Sequence, residues 1–341
     1  MKCTVLVPSY NRLPSVLELL ERLRRQDYPD FDVLLIEQST TASPEDRARL
    51  DAVALEDPRI RIERRPPLGV GGARNAGMAA AAGEVVLIID DDDLPATDDW
   101  ITRHMKNYAD PDCVAVHGGE RRSDGGGGAF ERRFPRIAHR LAMSYSPFGT
   151  PMAFPAVKRR KQGCAYLRGG NSSIRRQWAL DAGGWVDECG NGQEEHDFSF
   201  RLRKRMRPGQ YIAFDPTAQI IRRMDIPGGA DRRTGTLARE IEGNVRFYFG
   251  VIRRHRPVRT ALLAPLYPAV ILGRSIGWIL DDRAHEPAAR RALALSHLAV
   301  VFPVLLARGL LRLAADPTGE TVRPAAANAR PAASRGDPSL R

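Results

Sequence analysis

Glu84-Val85-Val86-Leu87-Ile88-Ile89-Asp90-Asp91-Asp92-Asp93-Leu94-Pro95 is the stretch whose reading decides the fold. Val85 to Ile89 is short, uncharged and mostly β-branched, which predicts a strand buried on both faces. It ends abruptly in four aspartates. Adjacent carboxylates repel one another, and a multivalent cation with a taste for hard oxygen ligands removes that repulsion. The competing reading is a solvated acidic turn before a helix capped around Thr97-Asp98-Asp99-Trp100.

Working outward, Cys3 to Pro8 reads as another short buried strand, followed by Ser9-Tyr10-Asn11. Pro14 then opens an amphipathic helix with Val16, Leu17, Leu19, Leu20 and Leu23 inward. Phe31 to Ile36 is a second strand ending at Glu37-Gln38, Pro44 to Leu55 is helix-prone, and Arg59 to Glu63 alternates as a third strand. Gly69 to Gly72 reads as a flexible loop before a helix from Ala73 to Ala82. This alternation predicts an α/β fold with a doubly wound, mostly parallel sheet and a Rossmann-like nucleotide-binding half. Such sheets bind ligands at the carboxyl ends of their strands, where Pro8, Glu37 and the aspartates fall. The glycines at 69–72 do not follow the first strand, so they are not a dinucleotide fingerprint.

Further on, Val114 to Gly119 reads as a strand, Ser123 to Gly128 as a mobile glycine-rich loop, and residues 130–165 as irregular and basic. Gly190-Asn191-Gly192 opens a helix that begins near Glu194-Glu195-His196-Asp197 and runs through Leu202. Two apolar stretches, Ala261 to Leu280 and Ala292 to Ala307, are broken by prolines, Arg274 and His297. Neither reads as a clean span of about 20 uncharged residues. From Thr318 the composition predicts disorder.

Charge is unevenly placed along the 341 residues, whose net charge is +11. Residues 1–106 carry 14 Lys+Arg against 19 Asp+Glu, residues 107–231 carry 20 against 14, and residues 232–341 carry 18 arginines against 8 acids. No zinc-finger or RNP-type pattern accompanies the basic end, so nucleic acid is not an expected partner. The four cysteines are scattered without CxxC spacing, which suits a reducing compartment. The chain opens directly on a strand, so no signal peptide is expected, and the expected location is cytoplasmic.

Val7-Pro8-Ser9-Tyr10-Asn11-Arg12, Ala73-Arg74-Asn75-Ala76-Gly77, Asp90-Asp91-Asp92, Gly170-Asn171 and Glu194-Glu195-His196-Asp197 occur in that order. The set resembles the family 2 glycosyltransferases, inverting enzymes of the GT-A fold, over residues 3–250. The resemblance implies a nucleotide-sugar-binding half at 1–106 and an acceptor half with the catalytic base at 107–250. A helical extension at 251–317 and a tail at 318–341 would follow. Asp90 and Asp92 match the DxD motif for Mn²⁺ or Mg²⁺, with Asp92 the direct ligand and Asp90 nearer the ribose. Pro8, Tyr10, Glu37, Arg74 and Asp91 fall on the nucleotide side. Relatives often carry aspartate where this chain has Glu37.

Glu195 matches the usual base, which takes the acceptor's proton in a single displacement, and Glu194 an acceptor contact. Gly170, Asn171, Trp185, His196 and Asp197 match the acceptor side. For the acids at the helix start the alternative is dipole stabilisation, with Asp197–Arg201 as an i,i+4 pair. Trp185 either stacks on a sugar or is core. Relatives often carry histidine where this chain has Arg222-Arg223, which points to a guanidinium on the diphosphate instead. Pro227-Gly228-Gly229 and Arg232-Arg233 would form a closing loop.

The implied partners are a nucleotide-sugar donor, UDP- or dTDP-linked, and a polysaccharide or glycolipid acceptor. Two alternatives stay open, a nucleotidyltransferase and a non-catalytic scaffold of the same fold. The C-terminal third reads either as an interfacial hairpin on anionic lipid, peripheral on the inner face of the cytoplasmic membrane, or as a soluble helical subdomain. Oligomeric state is not legible.

Overall fold

The computed structural model describes residues 1–126, 128–186, 193–226, 237–282 and 288–317. Strands β1 (Cys3–Ser9), β2 (Phe31–Glu37), β3 (Ile60–Arg64) and β4 (Val85–Ile88) lie parallel in the order β3-β2-β1-β4. Every residue of β1, β2 and β4 is buried, as continuous apolar runs require in a sheet covered on both faces. Helix α1 (Leu13–Arg24) begins at its proline and turns Val16, Leu17, Leu19, Leu20 and Leu23 inward. The Ser43 hydroxyl caps α2 (Pro44–Glu56) by accepting from the Asp46 amide at 3.0 Å.

Helix α3 (Gly69–Ala80) corrects one expectation, because the chain is already helical at Gly69 rather than looped to Gly72. Glycine costs a helix about 1 kcal/mol relative to alanine. Tertiary packing overrides that preference here. A Cβ at Gly77 would overlap the Leu6 side chain on β1, and one at Gly71 would stand 3.5 Å from Trp185.

After the aspartates come β5 (Asp93–Pro95), α4 (Trp100–Met105) and β6 (Cys113–Arg122). The stretch expected to be irregular holds α5 (Ala129–Arg133), α6 (Pro135–Leu141) and a hairpin of β7 (Ser144–Tyr145) and β8 (Pro151–Met152). Then follow β9 (Ser172–Arg175), α7 (Arg176–Asp181), α8 (Glu194–Arg205) and β10 (Tyr211–Arg222). The sheet order is β3-β2-β1-β4-β9-β6-β10-β5. Only β9 and β5 run antiparallel to the rest. Residues from both expected halves therefore share one sheet.

Helix α9 (Leu237–Val245), a π-helix at Arg246–Ile252, α10 (Arg253–His255), α11 (Pro257–Leu263), α12 (Tyr267–Asp282) and α13 (Ala288–Ala315) complete the described chain. They share a core with Phe200 of α8. The first apolar stretch is broken as expected, by a 3-10 turn at Ala264–Leu266 between α11 and α12, whereas the second runs on through α13. Pro257–Gly277 and Ala288–Ala315 are each long and apolar enough to cross a membrane, with mean hydropathy 1.2 and 1.9. Pro303 lies inside α13 without ending it. Less than a quarter of either apolar window is buried. The proposed closing loop, the Gly190-Asn191-Gly192 turn and the tail from Thr318 lie outside the described residues.

Candidate active site

The carboxyl end of β4 delivers Asp90, Asp92 and Asp93 to one point, with ligand oxygens within 4.8 Å of one another. Each has different surroundings. Asp93 is fully buried, and the Arg222 guanidinium grips both its oxygens at 3.1 and 3.0 Å. Burial pushes the Asp93 carboxyl up, and Arg222 opposes that. Asp91 turns away, accepting from Arg12 at 3.0 Å and from the Tyr10 amide at 3.3 Å. Burial still pushes its carboxyl up to about 6. Asp92 meets Arg12 at 3.0 Å, and burial followed by repulsion from Asp90 raises it. Asp90, 28% exposed, reaches Arg74 at 3.4 Å and Arg222 at 3.6 Å. Asp90 and Asp92 are thus the carboxylates open to a ligand.

Across the cleft, the first turn of α8 carries Glu194 and Glu195. Arg74 joins the two ends, donating to Glu194 at 2.6 Å from one nitrogen and reaching Asp90 with another. Buried Glu194 Oε2 and Arg74 Nε have no hydrogen-bond partner among the described residues. Glu195 Oε2 accepts from the Gly169 amide at 2.7 Å, and its other oxygen lies 3.8 Å from His196 Nε2. The glycines at 169 and 170 have a steric cause. A Cβ at either would overlap the Arg74 guanidinium or the Asp90 carboxylate.

The remaining predicted residues divide into two groups. Tyr10 and Glu37 border the cleft at the ends of β1 and β2, where Glu37 accepts from the Ser39 amide at 2.6 Å and meets Arg47 at 3.3 Å. Pro8 is a buried member of β1. Asn171, in a left-handed conformation at φ 47°, has its amide fully engaged by the framework. It donates to Gly119 and Ala218 carbonyls at 2.6 and 3.0 Å and accepts from Trp100 at 2.9 Å. Trp185 is core, stacked on Phe198 at 4.2 Å.

Asp197 faces away from the cleft, toward the C-terminal helices. It meets Arg201 at 2.8 Å, as the i,i+4 alternative anticipates, together with His255 at 2.8 Å and Arg254 at 3.3 Å. Burial works against its charge, but the His255 and Arg201 bonds outweigh that and hold it at about 2. His196 is buried, taking a 3.1 Å hydrogen bond with the Tyr145 hydroxyl. Of the two arginines after β10, Arg222 enters the site, whereas Arg223 pairs with Glu18 and Asp225 at the rim.

Arg12, Glu120 and Arg168 escaped the sequence reading. Arg12 was signalled only by its place beside Ser9-Tyr10-Asn11. Glu120 and Arg168 had no signal, because β6 and the turn before β9 meet only in three dimensions. Glu120 accepts from Arg168 at 3.0 Å and stands 3.5 Å from Arg222. Among the described residues, the site gathers seven carboxylates (Asp90 to Asp93, Glu120, Glu194, Glu195) against four guanidiniums (Arg12, Arg74, Arg168, Arg222). That excess of negative charge, with the two most open members being adjacent hard-oxygen donors, fits a divalent cation.

The family description "Glycosyl transferase family 2" matches residues 4–179. An uncharacterised glycosyltransferase of Rickettsia felis is 32% identical over 93 residues, covering 27% of this chain and 15% of that protein. The succinoglycan biosynthesis protein ExoW of Rhizobium meliloti is 32% identical over 131 residues, covering 35% and 39%. The matched stretch thus spans well under half of these relatives' own lengths. In fold, the mannosyltransferase PcManGT from Pyrobaculum calidifontis, solved with GDP-Man and Mn²⁺, superposes with a TM-score of 0.54 at 18% identity, over 93% of this chain and 86% of that one. The chain belongs to the family 2 glycosyltransferases and has the GT-A fold.

Proposed function

We propose that the chain moves a sugar from a nucleotide-sugar to a hydroxyl of a polysaccharide or glycolipid in one inverting displacement. The observation that carries this is Arg74 bridging Asp90 and Glu194, which ties the β4 aspartates to the first turn of α8, where Glu195 stands. Asp92 and Asp90 would hold Mn²⁺ or Mg²⁺, which when bound supplies positive charge to the donor's diphosphate. Arg222, fixed by Asp93 and Glu120, presents its guanidinium to the leaving diphosphate. Glu195 takes the acceptor O–H proton as that oxygen attacks the anomeric carbon. The carbon–phosphate oxygen bond breaks, and its electron pair leaves with the nucleoside diphosphate.

Tyr10, Glu37 and Pro8 line the base and ribose side, with Gly170 as the floor beneath Asp90. UDP- or dTDP-sugars are the favoured donors. The relative named for succinoglycan biosynthesis supports a polysaccharide acceptor. The exposed apolar helices α11 to α13, with their arginines, support a peripheral position on an anionic membrane.

Thermal-shift binding of UDP, dTDP, GDP and CDP, each with Mn²⁺ and with EDTA, tests the site. One nucleotide should stabilise the wild type only with metal. That shift should vanish in Asp92→Ala and persist in Glu195→Gln. No shift with any nucleotide in folded protein would remove the donor-site assignment.

A further inference from the structure

The β7–β8 hairpin and the α10–α11 corner form one surface. Arg259 on α11 donates to the Ser146 carbonyl at 3.2 Å and to that of Pro147. The Thr150 and Tyr248 hydroxyls bond at 2.9 Å, and Gly149, at φ 84°, packs near Ile252. The hairpin tip therefore lies against the start of the apolar segment Pro257–Gly277. Large apolar side chains stand out from this corner, with Phe148 40%, Val258 74% and Leu262 76% exposed. Four arginines occur within residues 253–259. Among the described residues, Arg253, Arg256 and Arg259 have no carboxylate partner. Arg256 instead lies over the Tyr145 and Phe200 rings, at 5.9 and 5.5 Å. Burial, then repulsion from Arg259, makes its charge less favourable, so an added anion would relieve the corner.

The geometry points to this corner as the docking edge for a bilayer carrying anionic phospholipid, with Phe148, Val258 and Leu262 inserted and the arginines at the headgroups. Exposed apolar side chains interleaved with guanidiniums that lack a carboxylate among the described residues (Arg253, Arg256, Arg259) complement an interface that is apolar below and anionic above. This rests on the membrane reading above and adds the face and its orientation. The base of the same hairpin reaches the catalytic helix, where the Tyr145 hydroxyl bonds His196 beside Glu195. Docked on this edge, the protein turns toward the headgroups the hairpin whose base contacts the helix that carries Glu195, the side from which a lipid-linked acceptor would arrive.

Co-sedimentation of the full chain with phosphatidylcholine vesicles, with and without phosphatidylglycerol, tests this without nucleotide or turnover. Wild type should sediment with the phosphatidylglycerol vesicles. Val258→Asp with Leu262→Asp should weaken binding about tenfold or more, and Phe148→Ser should weaken it less. Arg253→Gln should cost about fivefold, only where phosphatidylglycerol is present. All four side chains are solvent-facing or unpaired, and unchanged melting temperatures would confirm folding. Corner variants that bind as tightly as wild type, while Val300→Asp with Val304→Asp on α13 lose binding, would overturn the corner and keep the membrane reading. Wild type that sediments with neither vesicle would remove both. Full displacement by soluble glycerol 3-phosphate would overturn the docking edge and reassign it to a free phosphoester.

Discussion

The two acidic ends of the cleft solve opposite electrostatic problems. At the end of β4, four consecutive carboxylates are packed together and restrained by Arg12, Arg74 and Arg222, with burial raising Asp91, Asp92 and Asp93. At the start of α8, two carboxylates are parted. Glu194 is tied to Arg74, while Glu195 has one oxygen on a backbone amide and the other 3.8 Å from His196 Nε2. On the proposed reading, the crowded end attracts a cation and the separated end takes the acceptor's proton. At the β4 end the behaviour of each carboxyl thus follows from its burial and its charged neighbours rather than from its residue type alone.

Kinetics would break this comparison most sharply. Glu195→Gln should lower kcat roughly 10²–10⁴-fold with little change in donor KM, whereas Asp92→Ala should abolish metal-dependent nucleotide binding. Loss of the same parameter in both variants would erase the distinction between the ends. Arg74 is the residue that touches both, so removing it tests their coupling. Arg74→Met leaves Glu194 buried without its partner and should destabilise the fold by about 3–5 kcal/mol in urea denaturation. Adding Glu194→Gln should recover part of that loss, and strict additivity would deny the coupling.

A smaller effect separates α8 from its C-terminal supports. Asp197 lies below the ordinary carboxylate value of 3.8, at about 2. A depressed folded-state value gives stability that is present above about pH 4 and is lost as pH falls toward 2. Asp197→Asn should therefore lose about 2 kcal/mol at neutral pH, and its melting temperature should converge with that of the wild type near pH 2. A constant gap across that range would mean the His255 and Arg201 contacts act without the charge.

The N-terminal half of the sheet was legible because its signals are local. Unbroken apolar runs fixed β1, β2 and β4, and each run ends at the residues that border the cleft. The glycine-rich start of α3 reads as a loop because the neighbour that packs on it, Trp185 against Gly71, comes from a distant part of the chain. Asn171 and Trp185 sit in family-like motifs, yet in this structure their side chains hold the framework and core together. Motif spacing records that a residue is near a site, and says nothing of which way its side chain turns.

The sequence by itself determined the parallel α/β core, the cluster of aspartates at a strand end and the acidic start of α8. Each depends on periodicity or on like charges adjacent in the chain, and both act over a few residues. Only the tertiary structure decided that Arg222 rather than Arg223 enters the site. It also set Glu120 and Arg168 behind Arg222, joined the two acidic ends through Arg74, and turned Asp197 toward the C-terminal helices. Ion pairs in a buried cleft are chosen by which chain segments meet there. The desolvation that gives them their strength exists only once those segments have packed.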